Sequence, residues 1–237
     1  MKQAPLSLQA RAYLTSVGLL AAAAAALLWS VRAGAADLMV FLAICGLGML
    51  AHAFPIRASR HQAYQVTLPF IIMAAALFGT PQLIAFLVLI HAAEQVRLRR
   101  RLYIQAFNLS DYFLSAAVAA IVFHRAELLM PASALSTVEA ALAAGCTFIV
   151  LNRVLLAGAL WTARGLNPAR CGLFKPELLA ADLVIIWVSG PMLVLTTQVG
   201  AWMVLAIAGP LCLARLALAA LLADRERERQ EVRANAA

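Results

Sequence analysis

From Tyr13 to Leu222 the sequence is a succession of apolar runs. Each is near the length of a bilayer crossing, and each is closed by a short polar or Gly/Pro-bearing gap. A helical span needs roughly 20 apolar residues. Lipid offers the backbone no hydrogen-bond partners, so a spanning segment must satisfy its own polar groups. The runs cover residues 13–31, 38–54, 63–78, 82–96, 104–123, 134–161, 178–198 and 201–222. They predict an all-α integral membrane protein, a bundle of about eight transmembrane helices with six to eight in range. Composition agrees: 64% of the residues are hydrophobic, against about 45–50% in soluble domains.

The runs fall into one membrane domain, residues 1–223, followed by a short charged cytoplasmic helix or tail, residues 224–237. Gly190-Pro191 and Gly209-Pro210 lie well inside their runs and are expected to kink a span rather than end it. Lys2 and Arg11 ahead of an apolar stretch also fit the start of a signal peptide, but the stretch has the length of a retained span.

Basic residues orient the bundle. Lys2, Arg11, Arg57, Arg60, Arg97, Arg99, Arg100, Arg101, Arg164, Arg170, Lys175, Arg225, Arg227, Arg229 and Arg233 fall on one side of an alternating path. The other side holds only Arg32 and Arg125, and Arg153 and Arg215 fall inside runs. Basic loops stay cytoplasmic, so both termini are expected in the cytoplasm of a cell (plasma) membrane protein. The net charge of +8 is therefore read as loop charge, and no pattern for nucleic acid is present. Cys45, Cys146, Cys171 and Cys212 form no close pair, so neither a disulfide framework nor a thiolate metal site is expected.

Polar residues inside spans are costly and therefore candidates for function. Asn108 and Asp111 share a face of the fifth run with Ser115, Asn152 and Arg153 lie on the sixth, Asp182 on the seventh and Arg215 on the eighth. The alternating path places these charges at a common depth, and at least one Asp–Arg contact is expected across the bundle. They form either a ligand site or helix-pairing contacts. His52, His91 and Glu94, the last two three residues apart, are weaker candidates for a metal, or for a haem held by the two histidines. No cofactor is otherwise indicated. Arg97, Arg99, Arg100 and Arg101, with Arg225, Arg227 and Arg229, are candidates for contact with a protein partner or with lipid headgroups. No G-x-S-x-G elbow, P-loop or G-x-G-x-x-G is present, and no catalytic residue is assigned.

Several segments occur in a familiar order. Leu6-Ser7-Leu8-Gln9-Ala10-Arg11-Ala12-Tyr13-Leu14 enters the first run; Phe54-Pro55-Ile56-Arg57 and Val66-Thr67-Leu68-Pro69-Phe70 precede Gly79-Thr80-Pro81; Phe107-Asn108 and Asn152 follow. From about Leu6 to Leu222 the chain resembles the multi-span N-terminal membrane region of bacterial HD-GYP phosphodiesterases and diguanylate cyclases. That resemblance implies a sensor whose last helix signals to a cytoplasmic enzyme. The sequence carries no GGDEF motif and no His-Asp dipeptide, so the expectation is a non-enzymatic sensor or signalling module acting through a separate cytoplasmic or membrane partner. The pattern is also similar to substrate-binding membrane components of vitamin-type transporters, for which small-residue faces such as residues 21–26 would suit docking. A third reading is a structural subunit of a larger membrane complex.

Overall fold

Proline, glycine and a few caps divide the apolar sequence into its elements. The computed structural model describes residues 6–31, 36–54, 56–59, 62–64 and 66–206. Along them run α1 (Leu8–Val31), α2 (Leu38–Ala53), β1 (Ile56–Ser59), β2 (Gln62–Tyr64), α3 (Leu68–Leu77), α4 (Thr80–Leu98), α5 (Leu102–Leu129), α6 (Ala134–Arg164), α7 (Pro176–Trp187) and α8 (Ser189–Val199). Asp37 starts α2 by accepting from the Met39 and Val40 amides. Ser133 and Ser136 close a capping box on α6. Pro69, Pro81 and Pro176 sit in first turns, where a missing N–H costs nothing. Left-handed Arg99 and Gly165 end α4 and α6.

Among the described residues, four stretches are long and apolar enough to cross a membrane: Leu8–Trp29, Leu102–Leu129, Ala134–Arg164 and Pro176–Val199. The described residues thus fit an all-helical membrane protein, apart from one small ribbon. In that ribbon β1 pairs antiparallel with β2, Ile56 opposite Tyr64, and the register is irregular between Arg57 and Ser59. The ribbon corrects the expected third span. Ala63 and Tyr64 belong to β2, and the helix that follows has only 10 residues. At about 1.5 Å per residue it rises about 15 Å, half a hydrocarbon core. Every residue from Leu68 to Ala76 is buried, as expected of a helix that is apolar on all sides and surrounded by protein. α3 packs against α2, α4, α5, α6, α7 and α8. The main core gathers around it: Ile71, Met73, Phe86, Phe148 and Ile186 are all fully buried there.

The seventh run is one apolar stretch, long enough to cross a membrane, broken in the middle. α7 ends at Trp187 and α8 begins at Ser189. The expected kink at Gly190-Pro191 therefore appears a turn earlier, since a proline removes the bond to, and clashes with, the carbonyl four residues back. Gly200, at φ 122°, turns the chain before residues 202–206 resume helix. The remainder of the eighth run, Gly209-Pro210 and the charged segment 224–237 lie outside the described residues.

α5 and α6 form the most extensive helix pair, and α1 lies across both. Its contact is a small second core of Val17, Phe107 and Ala159. The Tyr13 hydroxyl donates to the Leu155 carbonyl at 2.8 Å. The outer surface of α1 is apolar, with Leu8, Leu19 and Leu27 all exposed, a surface suited to lipid. Tyr13→Phe is expected to cost about 0.5–1.5 kcal/mol, the net worth of one hydrogen bond, read as a lower unfolding midpoint in detergent. An unchanged midpoint would show that α1 docks by packing alone.

Candidate functional site

At the end of the bundle where α4 turns into α5, two histidines and a glutamate meet. His52 is the penultimate residue of α2; His91 and Glu94 lie three apart on one face of α4. The imidazole rings stand edge to face with centroids 4.8 Å apart. Glu94 Oε2 lies 3.7 Å from His52 Nε2 and 3.8 Å from His91 Nδ1. Its other oxygen is held by the Arg100 guanidinium at 2.9 Å. The Gln105 amide, on α5, donates to the His91 carbonyl at 2.7 Å and approaches Glu94 Oε2 at 3.4 Å. Thr67 Oγ1 sits 3.3 Å from His52 Nδ1. The Tyr112 ring packs edge-on against both histidines, at 5.5 and 4.9 Å. His52, His91 and Glu94 are 9%, 3% and 5% exposed. Yet among the described residues His52 Nε2 and both ring nitrogens of His91 have no hydrogen-bond partner. Buried polar atoms are normally satisfied, so three such nitrogens, two of them facing one carboxylate, mark this cluster out.

A second group adjoins it through α5. Asp111 precedes Tyr112 and is 2% exposed. Ser115 Oγ donates to its Oδ1 at 3.3 Å, and Asn152 Nδ2, from α6, to its Oδ2 at 3.1 Å. Asn108 is half-buried one turn earlier and does not bond this carboxylate. Next to Asn152, Arg153 forms a buried ion pair with Asp182 of α7. Tyr112 also meets Phe148 of α6, with ring centroids 5.6 Å apart. Together these groups place buried polar residues on α2, α4, α5, α6 and α7, a belt whose parts meet at the sequence neighbours Asp111-Tyr112 and Asn152-Arg153.

The structure thus supplies an Asp–Arg contact between helices, Arg153 with Asp182, while the described partners of Asp111 are neutral. Arg215, Arg225, Arg227 and Arg229 lie outside the described residues. Of the basic loop, Arg97 donates to the Ala53 carbonyl and lies 4.0 Å over the Phe54 ring, and Arg100 binds Glu94. Arg99 and Arg101 are exposed at the turn. Thr67, Gln105 and Tyr112 had no distinguishing signal in the sequence, because only tertiary packing brings them to the histidines.

The donor set decides between the two groups first considered for the histidines. Neutral imidazoles with one carboxylate suit a divalent transition ion. A haem held by both rings would need its macrocycle between them, and rings in edge contact leave no room. Comparisons with protein-family models, with curated proteins and with solved structures find no match to this chain.

Proposed function

We propose that this protein is a non-enzymatic membrane sensor. Its bundle sits in the cell membrane with both termini in the cytoplasm, and its buried belt responds to a ligand and passes the change to a separate protein partner. The single observation that carries this reading is the belt itself. A lipid-bounded bundle can be packed with apolar and small residues alone. Here instead the helices carry an imidazole–carboxylate cluster, a buried Asp111–Asn152 contact and a buried ion pair on neighbouring positions. Polar groups so placed are expensive and are found where ligands or protons act. Two helix arrangements that differ in belt contacts would give a ligand something to bias. Exposed Arg99 and Arg101, beside the cluster, offer the partner an adjacent basic edge.

A ligand that binds only the folded state raises stability, by about 2.7 kcal/mol at a hundredfold excess over Kd. The full chain in detergent is therefore expected to gain melting temperature with one member of a panel of metal ions, vitamins and nucleotides. Asp111→Asn, which keeps shape and removes the charge, is expected to weaken that gain. Failure of every compound to shift the midpoint, or identical shifts in the variant, would remove the belt as a sensing element.

A further inference from the structure

We propose that His52, His91 and Glu94 form a binding site for one divalent transition-metal ion of the zinc class. The inference names the ligand of the sensor described above and rests on that reading for its meaning, though not for the binding itself.

Four observations support it. The three residues come from two helices that pack together, so the donors are positioned by the fold and not by a loop. The three ligand atoms lie within 4.8 Å of one another. Tetrahedral zinc–ligand bonds are about 2.0–2.2 Å for nitrogen and oxygen, so small side-chain rotations bring all three donors onto one ion. Three of the four imidazole nitrogens, His52 Nε2 and both of His91, are buried and have no hydrogen-bond partner among the described residues. Both rings lie edge-on against Tyr112, in a setting where an unpaired nitrogen is costly.

The surroundings resemble the outer shell that metal sites require. Ligating histidines usually hold their second nitrogen on an oxygen, and ligating carboxylates are themselves hydrogen-bonded. Thr67 Oγ1 stands at the far nitrogen of His52, leaving Nε2 directed at Glu94. Arg100 occupies one carboxylate oxygen and leaves the other facing the histidines, where Gln105 also approaches. Two imidazoles and a carboxylate supply three ligands, which leaves a coordination position for water or a further ligand.

A proton shared between histidine and carboxylate is the competing occupant, and the test separates the two. Tag-free full-length protein in detergent would be stripped with chelator and titrated with Co²⁺ and Zn²⁺. The expected result is one ion per chain, with the intense visible bands of low-symmetry Co²⁺ bleached by Zn²⁺. His91→Ala and Glu94→Gln are each expected to lower affinity at least a hundredfold, Thr67→Val about 10–100-fold, and His124→Asn not at all. Unfolding midpoints of the metal-free variants establish that each is folded. A folded wild type that takes up no stoichiometric metal overturns the proposal, as does binding that survives both His91→Ala and Glu94→Gln. The sensor reading fails separately: a metal that binds at this site but leaves amide exchange in α5 and α6 unchanged keeps the site and removes the sensor. Conversely, no metal uptake with stabilisation by another compound removes the site and keeps the sensor.

Discussion

Arg153→Ala is expected to lower the unfolding free energy by about 3–5 kcal/mol, the cost of breaking a buried ion pair from one side. The loss would be read from reversible denaturation in detergent. The Arg153 guanidinium and Asp182 carboxylate meet between α6 and α7, each about a tenth exposed or less at the side chain. Truncation leaves Asp182 charged, desolvated and without its cation, and it must then take up a proton or draw in water. Asp182→Leu is expected to cost a similar amount for the mirrored reason. The informative variant is the pair: Arg153→Met with Asp182→Leu removes both charges and is expected to recover most of the loss, because a well-packed apolar pair replaces an ion pair at little cost. A single variant that costs less than about 1 kcal/mol, the range of exposed pairs, would place this contact in water.

Gly190→Val is expected to destabilise by about 1–3 kcal/mol or more, the range of overpacked sites. A Cβ at Gly190 would lie 2.8 Å from Val138 Cγ1 and 2.9 Å from Val138 Cα. A side chain can rotate away from an intruder and a Cα cannot, so α8 would have to leave α6. Gly158 provides the contrast. A Cβ there meets the hydroxyl end of Tyr13, with Cζ at 2.7 Å, and the ring can swing out if it releases Leu155. Gly46 is the control, since a Cβ there meets nothing within 4 Å among the described residues. Gly46→Ala in helix α2 is expected to be neutral or stabilising by up to about 1 kcal/mol. Equal stability of Gly190→Val and Gly46→Ala would mean that α8 does not sit against α6 as described.

The sequence announces helices well where apolar length and a cap coincide. The runs read as starting at residues 38, 82, 134 and 178 begin as helices within two residues of those positions, at Leu38, Thr80, Ala134 and Pro176. It does not separate a spanning run from a short buried one, because hydropathy measures apolarity and not whether lipid or protein surrounds it. Residues 63–78 were therefore legible as apolar and not as a strand followed by a ten-residue helix. The candidate site divides the same way. Asp111, Asn152, Arg153 and Asp182 stand out as polar residues in apolar runs. His91 and Glu94 are linked by helical spacing, whereas His52 joins them from α2, 39 positions away in the sequence. Thr67, Gln105 and Tyr112 complete the cluster without any local anomaly.

The burial of α3 also bears on biogenesis. An insertion apparatus handles a chain in the order of its synthesis, and a ten-residue helix is too short to partition into the bilayer alone. Its walls include α5, α6, α7 and α8, all made later. α3 must therefore wait at the insertion site, or at the membrane surface, until its enclosing helices emerge. The centre of this protein is the part that the ribosome delivers early and the membrane accepts late.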